Sequence, residues 1–173
     1  TVGIIETLEA AGLVVDYQEI PPEVDGDAAL GLPLMTAYLS ANPDCKIVIM
    51  DHHEAEGELP ECWHLINPKR KDDTSGLEML AAVGVTFLSC VAINNRLRDR
   101  KYYSNNSIQE PDLRKLLDIV ALGTVCDMVP LTKANRLLVR TGLNTSLLNM
   151  NTGMRELIKV AGISVPLSTY DCG

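Results

Sequence analysis

An aspartate and two histidines stand side by side at Asp51, His52 and His53, directly after the run Lys46–Met50, in a chain with only three histidines. Carboxylate oxygens and imidazole nitrogens together suit Mn²⁺, Mg²⁺, Fe²⁺ or Zn²⁺, and the donor types alone do not choose among them. Side chains of adjacent residues leaving a strand point to opposite sides. His52 and His53 are therefore not expected to share one ion: one can be a ligand while the other faces a substrate. The competing possibility is a turn carrying a solvated aspartate and two surface histidines.

A second acid is isolated in ALGTVCDMVPL (121–131), where Asp127 is the only charge between Asp118 and Lys133. Such an acid is costly unless it is paired or metal-bound. A helix or turn cap is the alternative, because Gly123, Thr124 and Pro130 surround it. A third group, VDGD (24–27), offers Asp25 and Asp27, or is simply a turn. Cys45, His52, His53 and Cys62 match no common zinc-finger spacing. No GxSxG elbow, phosphate-binding P-loop or GxGxxG is present.

The elements that must position these groups alternate. Val2–Ala11 has helical spacing and ends at Gly12, followed by the short strand Leu13–Tyr17. Ala28–Leu39 reads as a helix. Lys46–Met50 is an unbroken β-branched run, the pattern of a strand buried on both faces. Trp63–Asn67 reads as another strand. Helix and strand in alternation predict an α/β protein with a parallel sheet flanked by helices. In such sheets ligands bind at the carboxyl ends of the strands, which is where Asp51–His53 falls.

The second half reads as helical. SGLE (75–78) fits a capping box with Ser75 as N-cap, opening a helix that runs toward Arg98. Met79–Asn95 carries no charge, yet it is short for a membrane span and contains Thr86, Ser89 and Asn94. A helix buried on most sides is expected, and no membrane association. Residues 102–111 read as a polar loop, Pro111–Val125 as a helix begun by Pro and Asp, and 134–148 and 153–162 as amphipathic helices.

The chain has 173 residues, 46% of them hydrophobic but only 4% aromatic, so its core must be aliphatic. Five cysteines, an odd number without CxxC spacing, and no secretory signal predict a reducing, cytoplasmic setting. The net charge of −8 argues against a free-standing nucleic-acid binder. Positive charge is local, in 67–71 and 96–101.

In sequence order, IVIMDHH, INPKR, LAAVGVTFL, LLDIVALGTVCDMVPL and NRLLVRTGL resemble the DHH phosphoesterases, most closely their bacterial branch of single-strand-specific 5′→3′ DNA exonucleases. The resemblance covers most of 46–162. It implies a two-metal phosphodiesterase using Mn²⁺ or Mg²⁺, acting on single-stranded DNA in repair and recombination. It further implies repair and recombination proteins as partners, and a monomer. It makes His52 and Asp127 metal ligands, and places Asp51 in the metal site as ligand or support. It turns His53 toward the scissile phosphate, with Asn67, Lys69 and Arg70 at the substrate.

Asp25 is the better match for the family's bridging aspartate and Asp27 the fallback. The family's first motif, D-x-D-G, has no counterpart here, so 1–131 is expected to be a core without it. Residues 132–173 are expected to be a helical connector toward a further domain. Two alternatives remain. One is a DHH enzyme for small substrates such as pyrophosphate, cyclic dinucleotides or short oligonucleotides, which the acidic charge favours. The other is a non-catalytic DHH-like binding module, which loss of the first motif would favour.

Overall fold

The computed structural model describes residues 44, 46, 48–54, 62, 64–145 and 147–172. The chain divides into two units, Thr1–Cys45 and Lys46–Gly173, and every described strand and helix lies in the second. The segments expected at 2–11, 13–17 and 28–39 lie outside the described residues, as do Asp25 and Asp27.

Two short strands, β1 (Val48–Met50) and β2 (His64–Ile66), pair in parallel with Val48 opposite His64 and Met50 opposite Ile66. The amide of Asp51 adds one more rung, donating to Ile66 O at 3.0 Å. Parallel pairing forces both carboxyl ends to one edge. Asp51–Glu54 and Asn67–Arg70, well separated in sequence, therefore leave the sheet together.

The second half is helical, as expected, with shorter bounds than expected for the helices at 111–125 and 134–148: α1 (Ala82–Asp99), the single turn α2 (Tyr102–Asn105), α3 (Leu117–Cys126), α4 (Lys133–Leu143) and α5 (Thr152–Ala161). Asp112 caps a 3₁₀ turn (Leu113–Leu116) that leads into α3. The core is aliphatic: Ala121, Val139, Leu143, Met150, Met154, Ile158 and Leu167 form one buried cluster. Asp118, 1% exposed, sits in the first turn of α3, where the helix dipole favours a carboxylate. It accepts from the amides of Ile119 at 2.8 Å and Asn151 at 2.5 Å. Asn151 in turn caps α5 by accepting from Gly153 N.

Three local expectations change. Ser75 is not the N-cap of α1: its hydroxyl donates to Asp73 Oδ1 and accepts from Leu77 N. Gly76 is left-handed (φ +68), so the chain turns again and α1 begins only after Ala81. The loop expected over 102–111 opens with one helical turn, set off by left-handed Lys101. Nor is α1 buried on most sides, since Val91 and Ile93 are exposed. No helix among the described residues is long and apolar enough to cross a membrane.

Glu110 ties the start of the 3₁₀ segment back to α1. It accepts from Asn94 Nδ2 at 2.9 Å and pairs with the Arg98 guanidinium, while Tyr103 OH donates to Asn94 Oδ1. Arg98, and after it Asn94, hold the Glu110 carboxyl below its usual value of 4.5. A carboxyl depressed in the folded state contributes stability above its unfolded value and loses it as pH falls through the folded one. Urea midpoints should therefore fall as pH drops below about 4.5. Glu110→Gln, which keeps an acceptor for Asn94, should flatten that acid slope; an unchanged slope would mean the pair carries no linkage.

Candidate metal and phosphate site

The β1 strand holds Asp51 in the ladder, and the two histidines diverge from its end. His52 is buried, with its imidazole Nε2 3.3 Å from Asp127 Oδ2. His53 stands out in solvent, with Nδ1 2.7 Å from Asp51 Oδ1. The rings lie 4.7 Å apart and tilted by 51°. The alternation expected of a strand end thus assigns one imidazole to the interior and the other to solvent.

Asp127 is the C-cap residue of α3, and its amide donates to Gly123 O. A carboxylate there faces the negative end of the helix dipole, an unfavourable place without positive charge nearby. Its side chain reaches away to His52 instead. The chain then reverses through Met128, which is left-handed (φ 58) and exposed. A non-glycine residue in that region stores backbone strain of about 1–3 kcal/mol.

Asp51 is partly buried, and burial pushes its carboxyl up. Hydrogen bonds from the His53 ring and from the His52 and His53 amides outweigh this and hold it below its usual value. It is thus a carboxylate at neutral pH and can only accept. His53 must then carry its proton on Nδ1, which leaves Nε2 directed away from the pair.

The neighbouring turn from β2 braces this edge. Asn67, 5% exposed, donates from Nδ2 to His53 O at 2.9 Å and accepts from Lys69 N at 2.8 Å. Arg70 donates to Leu65 O at 2.8 Å and forks onto Asp72. Lys69 pairs with the exposed Glu54 at 3.0 Å. The structure therefore engages Asn67 and Arg70 in holding the turn. The Lys69 side chain holds no backbone carbonyl among the described residues, and its pair with Glu54 is of the exposed kind worth about 0–1 kcal/mol.

Two ligands about 2.1 Å from one ion sit about 3.0 Å apart at an octahedral angle and about 3.4 Å apart at a tetrahedral one. The His52–Asp127 spacing falls in that window and suits two ligands of one divalent cation. His52 Nδ1 is buried without a hydrogen-bond partner among the described residues. An ion bound through Nε2 would leave this Nδ1 without a partner all the same, so the case for a ligand rests on the His52–Asp127 spacing. Among the described residues no group of three or more His, Cys, Asp or Glu side chains is placed to hold a metal. His52 and Asp127 come together, then, while the Asp51 carboxylate is engaged with His53.

Asn135 opens the NRLLVRTGL motif, but the sequence assigns it no role. It is fully buried, and its Nδ2 donates to Met79 O at 2.6 Å and Pro130 O at 3.0 Å. It thereby anchors the connection that carries Asp127 into α4. The signal is nonetheless present: Asn135, Val139, Gly142 and Leu143 form the buried stripe of α4, and one of them is polar. Asn135→Ala should lower stability by about 1–3 kcal/mol, the penalty for buried groups left unsatisfied. A shift of the urea midpoint, with Mn²⁺ affinity falling in parallel, checks this.

Comparison with known proteins shows what the chain as a whole resembles. No family model matches the chain. A stretch of 98 residues is 41% identical to the single-stranded-DNA-specific exonuclease RecJ of Salmonella typhimurium, covering 57% of this chain and 17% of that protein. A stretch of 116 residues is 38% identical to the RecJ of Dickeya dadantii, and one of 116 residues is 37% identical to that of Escherichia coli. Each of these covers 66% of this chain and 20% of the relative. The match thus spans about a fifth of the length of these curated relatives. Over roughly 60% of its length, this chain resembles one segment of the RecJ exonucleases.

Proposed function

We propose that this chain carries part of the active site of a metal-dependent phosphodiesterase with the DHH fold, a RecJ-like 5′→3′ exonuclease on single-stranded DNA in repair and recombination. The observation that carries the reading is the His52–Asp127 contact at the carboxyl end of a parallel strand pair, in a sequence that resembles RecJ. His52 and Asp127 would hold a Mn²⁺ or Mg²⁺ ion, with Asp51 beside them and Asp25 as a further carboxylate. Such an ion, when bound, polarises the phosphate and lowers the pKa of a bound water.

The chain's own groups do the rest. Asp51 fixes the tautomer and orientation of His53, whose Nε2 is then available to hydrogen-bond a phosphate oxygen or move a proton there. Asn67 fixes the backbone of His53 from the other strand. Lys69 can leave Glu54 for a phosphate of the strand, and Arg70 holds the turn that presents it.

The test is hydrolysis by the full-length protein, with Mn²⁺, of 5′-labelled single-stranded DNA, the same strand in duplex, and pyrophosphate. Release of nucleotides from the 5′ end of the single strand is expected. Preference for pyrophosphate would replace this reading with that of a small-substrate phosphoesterase, and binding of the strand without hydrolysis would replace it with a binding module.

A further inference from the structure

Positive charge gathers on one side of α4, although the chain as a whole is acidic at −8. A groove of about 790 Å³ runs between the 3₁₀ turn and α4, and Arg114, Lys115, Arg140, Thr141 and Asn144 contribute to it. Its carboxylate, Asp112, is already bonded to Arg114 at 2.7 and 2.8 Å. A second groove, of about 310 Å³, continues from the first, because Arg140 and Asn144 line both. The second adds Arg136, Leu131 and Thr169 and contains no acid among the described residues. Four cations thus meet one carboxylate along a continuous track. Lys115, Arg136 and Arg140 form no ion pair with a described carboxylate.

The spacing on α4 is what an extended polyanion needs. Arg136 and Arg140 are one helical turn apart, and Thr141 and Asn144 beside them donate to Leu137 O and Arg140 O of the same helix, so the cations carry the charge of the track. Tyr170 follows Thr169 of the second groove in sequence and is 90% exposed. Cationic grooves with an exposed aromatic side chain are the pattern for single strands, whose phosphates meet the cations and whose bases stack.

We propose that this track along α4 binds the backbone of single-stranded DNA away from the hydrolytic site, with Lys115, Arg136 and Arg140 contacting phosphates and Tyr170 stacking a base. The proposal rests on the phosphodiesterase reading for its choice of polyanion. Leu117, in the first groove, and Asp127 lie at opposite ends of α3, about 15 Å apart at 1.5 Å per residue. At the 3.4 Å stacked spacing of a strand, that distance is about four to five nucleotides. A dinucleotide at His52 and Asp127 is too short to reach the first groove, whereas a 12-nucleotide strand can occupy both places.

The experiment compares the full-length protein with Lys115→Glu, Arg140→Glu and the double variant; the sites are exposed, and circular dichroism checks folding. Anisotropy of labelled dT12 in EDTA gives affinity as a function of salt, and Mn²⁺-dependent turnover is measured on dT12 and dT2. Each lost phosphate contact should lower the slope of log affinity against log salt by about 0.7. The ratio of turnover on dT12 to that on dT2 should fall in both single variants and further in the double variant. Unchanged salt slopes and turnover ratios in a wild-type protein that digests dT12 would overturn the track while leaving the hydrolytic reading intact. Failure of the wild type to hydrolyse either substrate would overturn the reading on which the track rests.

Discussion

Mn²⁺ titrated into a His52→Ala protein should bind at least about 100-fold more weakly than into the wild type, and turnover on single-stranded DNA should fall with it. Even residues that only support a metal ligand typically change affinity by about 10–100-fold. The loss of Nε2 would leave Asp127 alone at the end of α3, where the helix dipole already disfavours it. His53→Ala should behave differently. Its ring is solvent-exposed and bonded to Asp51, so its removal should lower turnover by about 10²–10⁴, the usual range for a general acid or base, and disturb Mn²⁺ affinity far less. Calorimetric titration with Mn²⁺, run beside single-turnover digestion, separates the two effects. Equal loss of metal binding in both variants would sink the division of labour between the histidines.

The largest stability effect is expected at Gly142. A Cβ built there lies 1.9 Å from Leu117 O and 2.6 Å from the Ala121 Cβ, so the backbones of α3 and α4 touch at this point. The atom in the way is a carbonyl oxygen of a helix, which cannot swing aside as a side chain would. Gly142→Ala must separate the two helices that carry Asp127 and the cationic track. Overpacking of this kind costs about 1–3 kcal/mol and occasionally more, and this contact belongs at the upper end. For a protein of this size the Tm should drop by about 2–4 °C per kcal/mol. Gly153→Ala is the control: its Cβ meets nothing closer than 3.4 Å, and helix propensity favours alanine. If Gly142→Ala unfolds at the same temperature as Gly153→Ala, α3 and α4 do not pack as described.

What sequence can reveal depends on the range of the interaction. The strand ending at Met50 is legible because β-branched residues crowd it, but the burial on both faces expected from that pattern is not found: Val48 is exposed, and Ile49 and Met50 are only half-buried. The end of α5 is legible because Gly162 takes the left-handed conformation (φ 67) that glycine adopts freely. The start of α1 is misplaced by its sequence because SGLE satisfies a local rule that left-handed Gly76 then breaks, sending the Ser75 hydroxyl to Asp73. For Asp127 the sequence leaves cap and ligand equally open. The structure places it at the cap position with its carboxylate extended to His52. No local pattern encodes that contact, because its partner lies at the far end of another element. The turn after β2 is legible as basic, but not that Arg70 and Asn67 hold backbone carbonyls.

His52 and Asp127 lie about 75 positions apart in the chain. The helices between and beyond them dock mostly on near neighbours in sequence, and such local contacts form early in folding. The approach of these two side chains must wait until a long loop has closed. A cation shared between them would then act as a reversible staple on that loop. In the chain-entropy view, cross-linking a loop of this length removes about 4 kcal/mol of freedom from the unfolded chain. Occupancy of the site and completion of the fold would then be thermodynamically linked, each favouring the other.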